Sequence, residues 1–230
     1  MAHNMTVDKS SDWYGGKSPF NSSYGKLMMW YFLLSDAFTF SAFLISYGAI
    51  RFSAASWADP NVVFSAMPFM EGVNAPLGFV SIMTFILILS SVFVVRAVQE
   101  GHRRNKKGIL FWMFWGIVGG AAFLGCQAWE WHHLITGLSH HHGMSITGID
   151  FGPGTEGYPQ SFANLFFIIT GFHGFHVFSG VCINIWAFWE TYRDNPFVMQ
   201  HDYEVIEKVG LYWHFVDLVW VFVFLVFYLL

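Results

Sequence analysis

Five apolar stretches divide this chain, and each is long enough to cross a lipid bilayer. A membrane-spanning helix needs about 20 apolar residues, and stretches of that length occupy residues 27–50, 77–98, 109–131, 162–189 and 209–230. Lipid offers the backbone no hydrogen-bond partners, so such segments satisfy their own amides and carbonyls as helices. The sequence therefore predicts an all-α membrane protein with five transmembrane helices.

Composition and proline placement support this prediction independently. Only 11% of the residues are charged and 55% are hydrophobic, whereas soluble domains carry about 25% charged residues. All seven prolines lie outside the five stretches, as expected because proline removes a backbone donor that lipid cannot replace. No basic run is interleaved with exposed aromatic residues, so we expect no nucleic-acid partner.

The distribution of lysine and arginine predicts the orientation, because short loops rich in these residues stay in the cytoplasm. Ten of the eleven basic residues fall on one side of the predicted spans, and Arg51 alone falls on the other. We therefore expect a polar cytoplasmic segment at 1–26, followed by a single five-helix domain at 27–230. The N-terminus is predicted to be cytoplasmic and the C-terminus outside.

The third span is rich in glycine, with Gly116, Gly119, Gly120 and Gly125. Small residues at such spacing let membrane helices approach closely, so we interpret them as a helix-packing surface. We also expect a face of the third or fourth span, with Gly120 as its marker, to be buried against a larger subunit.

Polar residues inside the spans are costly in lipid and therefore informative. Three spans each carry two polar residues three positions apart, a spacing that places both on one helix face: Gln127 and Glu130, His173 and His176, His214 and Asp217. We predict a buried polar seam in which these groups satisfy one another across helices. Asp36 in the first span is either a packing element or a group that handles protons or lipid.

A haem or metal site is the alternative interpretation of the intramembrane histidines, because histidine is a common ligand of both. The spacing argues against it. His173 and His176 share one face of one helix, and His214 is their only histidine partner within the spans. The two cysteines form no CxxC pair, which excludes a zinc ribbon or a c-type haem attachment. We therefore predict no catalytic, cofactor-binding or metal-binding residue in this chain.

Two motifs on the last two spans resemble subunit III of the haem–copper cytochrome c oxidases. They are Thr-Gly-Phe-His-Gly-Phe-His-Val from Thr170, followed by Gly180, and Tyr-Trp-His-Phe-Val-Asp-Leu-Val-Trp from Tyr212. The resemblance extends upstream to Leu-Gly-Cys-Gln-Ala-Trp-Glu from Leu124, to Ser35-Asp36 and to Glu207. It covers the chain from about Leu27 to the C-terminus.

The chain departs from the family pattern in three respects. Larger members have seven helices, and this chain lacks the first two, as five-helix bacterial members do. Asp36 stands where the family has a glutamate. Glu190 stands where many members carry an arginine after the fourth span, with Arg193 three residues on.

The resemblance implies a subunit without redox centres of a proton-pumping cytochrome c oxidase in aerobic respiration. Such a subunit packs on the catalytic subunit I, which holds the haems and copper, and it supports proton uptake and stability. It implies other oxidase subunits, bound phospholipid in a lipid-filled cleft, a larger respiratory supercomplex and a bacterial cytoplasmic (inner) membrane. The residues expected to have structural, proton or lipid roles are Asp36, Gln127, Glu130, His173, His176, Glu207, His214 and Asp217.

Three other functions stay open at this point. The first is subunit III of a haem–copper quinol oxidase, because this subunit touches neither electron donor. The second is a haem-bearing membrane cytochrome that uses His173, His176 and His214. The third is a small transporter built on Asp36 and Glu130, although such folds show internal repeats that this sequence lacks.

Overall fold

Five long helices account for nearly all of the chain that the computed structural model describes, residues 24–54, 57, 78–141, 160–194 and 204–229. The helices are α1 (Tyr24–Ser53), α2 (Gly78–His102), α3 (Lys106–His141), α4 (Gln160–Tyr192) and α5 (Glu204–Phe224), and α5 continues as a π-helical turn, Leu225–Leu229. Each contains a segment long and apolar enough to cross a membrane. The predicted all-α fold with five transmembrane helices is confirmed.

The helices are longer than the apolar stretches that predicted them. α3 ends at His141 rather than at residue 131, and α5 begins at Glu204 rather than at residue 209. Hydropathy marks only the part of a helix that lies in hydrocarbon, whereas backbone hydrogen bonds continue into the polar interface. At the start of α5, Glu204 and Glu207 occupy the first turn, where the positive end of the helix dipole favours carboxylates.

α5 holds the bundle together. It packs against α1, α2 and α4, while α3 packs against α2 and α4. Trp213 and Trp220 of α5 are almost fully buried. The Trp213 indole donates a hydrogen bond to Ser90 Oγ of α2 at 2.9 Å, and the Trp220 indole donates one to Thr84 Oγ1 at 3.0 Å. Two aromatic side chains are thereby fixed in depth as well as buried.

Ion pairs gather several helix ends at one end of the bundle, which we call the basic end. Lys26 of α1 pairs with Glu207 of α5 at 2.7 Å, and Lys106 of α3 pairs with Asp194, just past α4, at 2.6 Å. The Lys106 ammonium also donates to the carbonyl oxygen of Tyr192 at 3.0 Å, near the end of α4. The helix ends that carry these lysines therefore lie together, as the charge pattern predicts.

The glycines of α3 are packing positions within this chain. A Cβ atom added at Gly119 would lie 2.6 Å from Ser90 Cβ of α2, and one added at Gly120 would lie 2.5 Å from Trp213 Cη2 of α5. The predicted helix contact is thus confirmed. The expectation that Gly120 marks a face for a larger subunit is wrong, because Gly120 is covered by Trp213 and by Val181 of α4.

We predict that Gly120→Leu destabilises the isolated chain, whereas Gly125→Leu does not. A side chain at Gly120 must displace the buried Trp213 indole, and overpacking of this kind costs about 1–3 kcal/mol. A Cβ atom added at Gly125, on the same helix, meets nothing within 4 Å. Thermal unfolding of the two variants in the same detergent checks this prediction, and equal midpoints would contradict it.

Candidate functional site

The intramembrane polar residues form three separate clusters between helices. The basic-end cluster consists of Ser91, His214 and Asp217, the central cluster of Asp36 and His176, and the far-end cluster of Gln127, Glu130 and Tyr228. The single polar seam predicted above is therefore wrong in its pairing. His214 is bonded to α2 and His176 to α1, so these two histidines do not satisfy each other.

The central cluster joins α1 to α4. His176 Nε2 lies 3.3 Å from Asp36 Oδ1, and His176 Nδ1 lies 2.8 Å from the carbonyl oxygen of Phe172. A carbonyl oxygen only accepts, so Nδ1 carries a hydrogen. The contact between Nε2 and Asp36 then holds one shared proton, either as imidazolium and carboxylate or as neutral imidazole and carboxylic acid. Both forms have zero net charge, which suits a buried position.

The basic-end cluster joins α5 to α2. His214 Nδ1 lies 2.6 Å from Ser91 Oγ, and Ser91 also interacts with the carboxyl group of Asp217. Asp217 Oδ1 is buried and has no hydrogen-bond partner within the described residues. The Ser91 hydroxyl therefore lies between the His214 imidazole and the Asp217 carboxyl group.

The far-end cluster joins α3 to α5. Gln127 Nε2 donates to Glu130 Oε2 at 3.1 Å, which confirms that these two residues share one helix face. The Tyr228 hydroxyl lies 3.2 Å from both oxygens of Glu130. Tyr228 belongs to the π-helical turn that ends α5, where Phe227 and Tyr228 are consecutive and both buried. A π turn alters the 3.6-residue spacing, so it lets two adjacent side chains face inward.

His173 occupies an aromatic environment rather than a hydrogen-bonded one. Its ring centroid lies 5.1 Å from that of Trp220 and 6.0 Å from that of Phe123. Neither ring nitrogen has a hydrogen-bond partner within the described part of the chain. His173 and His176 lie one helical turn apart and are both buried. His173 makes no hydrogen bond to the central cluster.

Glu207 lies outside the three clusters. Its carboxylate pairs with Lys26 at the basic end, and it is among the residues that line a cleft between α1, α2 and α5. Within the described residues, no group of three or more His, Cys, Asp or Glu side chains is placed to hold a metal ion. Both ring nitrogens of His176 are already engaged by the chain itself.

Sequence reasoning missed the hydroxyl groups that complete these contacts. Ser90, Ser91 and Thr84 of α2 bond to α5, and Ser179 of α4 lies 2.8 Å from the Tyr212 hydroxyl. Serine and threonine commonly bond across membrane helices. The available signal was spacing, because Thr84 and Ser91 lie seven residues apart and therefore share one face of α2.

Comparison with known proteins gives a consistent family assignment. The sequence profile described as "Cytochrome c oxidase subunit III" matches residues 158–230, which include α4 and α5. Cytochrome c oxidase subunit 3 of Alkalihalophilus pseudofirmus is 30% identical over 89% of this chain and 85% of its own length.

Relatives from quinol oxidases match over a similar range. Cytochrome bo(3) ubiquinol oxidase subunit 3 of Pseudomonas putida is 29% identical over 89% of this chain and 84% of its own length. Quinol oxidase subunit 3 of Bacillus subtilis is 28% identical, with 92% and 91% covered. These matches cover most of this chain and most of each relative. The chain belongs to the cytochrome c oxidase subunit III family.

Proposed function

We propose that this chain is the subunit III of a haem–copper terminal oxidase that reduces oxygen in aerobic respiration. The observation that carries this proposal is the match to oxidase subunits over most of the chain. The geometry agrees with a subunit without redox centres, because His176 and His214 are used to join helices rather than left open as ligands. The haems and copper then belong to partner subunits.

The partner in this proposal is the catalytic subunit I, together with other oxidase subunits. The outward face of α3 suits a close helix contact, since its exposed positions include Ala121, Gly125 and Ala128. Small residues allow backbones to approach closely in membranes. This face replaces the one that Gly120 was expected to mark. Association with subunit I stabilises the complex and supports proton uptake and pumping, and a larger respiratory supercomplex is compatible with the same arrangement.

The proposed location is the bacterial cytoplasmic membrane, with the basic end on the cytoplasmic side. Large exposed side chains along α4, such as Phe175, Phe178 and Trp186, present an apolar surface to lipid or to a partner helix. Bound phospholipid is therefore part of the proposal. Asp36, His173, His176 and the far-end cluster have structural roles in it, and Asp36 is also the position at which the family pattern suggests proton or lipid handling.

The electron donor separates two forms of the proposal. The relatives named for cytochrome c oxidases and those named for quinol oxidases are almost equally similar to this chain. Cytochrome c is the main assignment, and a quinol is the alternative. Oxygen consumption by the purified complex, measured with reduced cytochrome c and then with a quinol, decides between them.

We predict that His214→Ala loosens this subunit from the oxidase without removing a haem. Interhelical hydrogen bonds contribute roughly 0.6 kcal/mol on average, and loss of one partner also strands the other at a cost of about 1–3 kcal/mol. The measurements are subunit stoichiometry after purification in mild detergent and the visible spectrum of the product. A stoichiometric complex that lacks one haem band would contradict the proposal and favour a haem-bearing cytochrome.

Orientation gives a second prediction. A cysteine introduced between residues 143 and 157 should react with an impermeant thiol reagent added outside intact cells, and Asn105→Cys should not. The physical reason is the excess of lysine and arginine at the basic end, which keeps that end in the cytoplasm. Opening the cells is the control, because it should make the Asn105→Cys variant reactive. The reverse labelling pattern would refute the proposed orientation.

A further inference from the structure

A cleft of about 260 Å³ enters the bundle between α1, α2 and α5 near the basic end. Its charged lining residues are Lys26 of α1 and Glu207 and Lys208 of α5, and its apolar walls include Val95 of α2. His214 also lines it, about two turns of α5 further into the membrane than Glu207. The cleft therefore connects a charged mouth with the basic-end cluster.

The polar groups at the two ends of the cleft, the charged mouth and His214, favour water as the occupant, while the walls between them are apolar and consist of Trp30, Val95, Val98 and Leu211. Charged side chains within a membrane protein face partners or water-filled cavities. Lys26 pairs with Glu207 at 2.7 Å, and Lys208 pairs with Glu204 at 3.2 Å. The mouth is therefore balanced in charge and has no net attraction for an anionic headgroup. An acyl chain in the cleft would also leave the imidazole of His214 against hydrocarbon.

The geometry at the inner end of the cleft is that of a proton relay. His214 Nδ1 is engaged by Ser91 Oγ at 2.6 Å, so Nε2 is the ring nitrogen that meets water in the cleft. Ser91 interacts in turn with Asp217. Buried Oδ1 of Asp217 has no hydrogen-bond partner within the described residues, which is unusual for a buried polar atom.

We propose that the cleft is an aqueous path from the basic end to His214, and that His214 and Ser91 relay protons to Asp217. A hydronium ion in the cleft gives a proton to Nε2 of a neutral His214 that carries its hydrogen on Nδ1. The Nδ1 proton passes to Ser91 Oγ, and the Ser91 hydroxyl proton passes to the Asp217 carboxylate. The products are water, neutral His214 with its hydrogen on Nε2, and protonated Asp217.

The relay is reversible: Asp217 returns its proton to Ser91 Oγ, the Ser91 hydroxyl proton passes to His214 Nδ1, and His214 Nε2 releases a proton to water in the cleft, which restores the first tautomer. Onward transfer from Asp217 to a base of a partner subunit belongs to the proposed function. Among the described residues, the charged groups near His214 are Lys26 from α1 and Glu207, Lys208 and Asp217 from α5. From α2, Val95 and Val98 line the cleft and Ser91 bonds to His214. The use of these protons for oxygen reduction rests on the proposed function. The hydration of the cleft and the connection to Asp217 do not.

Thiol accessibility tests the aqueous path without reference to oxidase activity. In the full complex, with Cys126→Ala and Cys182→Ala as background, Val95→Cys lies in the cleft and Ile185→Cys on the outer face of α4. Both residues are about half exposed, and both lie about two turns from the basic end. A thiol reacts as the thiolate, which forms in water and not in lipid.

An impermeant methanethiosulfonate cation added from the basic end should therefore modify Val95→Cys at least tenfold faster than Ile185→Cys. Equal, slow modification of both would overturn the aqueous path and show that the cleft is filled by lipid or by another chain. Modification of Val95→Cys from the opposite side of the membrane only would overturn it as well.

Neighbouring serines provide a matched pair of variants for the relay. Ser91→Ala removes the hydroxyl between His214 and Asp217, whereas Ser90→Ala removes one that bonds Trp213 and the carbonyl oxygen of Gly116. Ser91→Ala should shift the alkaline limb of the turnover–pH profile of the complex about one unit lower, which corresponds to a proton supply about tenfold slower. Ser90→Ala should lower stability and leave the profile in place.

Ser91→Thr restores the hydroxyl and should restore the profile, a result that a purely structural role for Ser91 does not predict. An unchanged profile in Ser91→Ala, or the same shift in Ser90→Ala, would overturn the relay. These outcomes are distinct from failure of the proposed function. If the purified complex lacked haem or oxygen consumption, the function would fail while the labelling experiment still decided whether the cleft is aqueous.

Discussion

Hydrocarbon offers no hydrogen-bond partner to the polar side chains inside this bundle, so donors and acceptors buried between the helices favour partners on neighbouring helices. This constraint explains why α5 holds the structure together. The Trp213 and Trp220 indoles are buried, and each carries an N–H group that needs an acceptor. These groups donate hydrogen bonds to Ser90 and Thr84 of α2. Once these bonds fix the depth of α5 against α2, the contacts of α5 with α1 and α4 fall at defined levels of the bundle.

The number and type of the helices were predictable from the sequence, because apolar length alone determines them. The partners of the polar residues were not. A spacing of three residues shows that His214 and Asp217 share a face, but it does not show which helix lies opposite. That helix proved to be α2, whose Ser91 is 123 residues away in the chain. Hydroxyl side chains are weak signals in an apolar stretch, and yet they complete all three links between α2 and α5 that involve tryptophan or histidine.

The glycines show the same limit in packing. Gly120 and Gly125 lie on one helix, and the sequence alone does not distinguish their roles. In the structure Gly120 faces Trp213, whereas Gly125 faces open space. Only the position of the neighbouring helix distinguishes a contact within the chain from one available to a partner. The π-helical turn at Leu225–Leu229 is also set by tertiary contacts. No residue pattern in the sequence predicted that the Tyr228 hydroxyl would bond to Glu130. Local propensity decides that a segment is helical, and tertiary contacts decide where the helix changes its spacing.

The central cluster links α1 to α4 through Asp36 and His176. The Asp36 carboxyl group lies 3.3 Å from His176 Nε2. His176 Nδ1 is bonded on its other side to the carbonyl oxygen of Phe172, which fixes the orientation of the imidazole. Because α1 is the least buried of the five helices, the contact between Asp36 and His176, together with the ion pair between Lys26 and Glu207, helps to align α1 on the bundle.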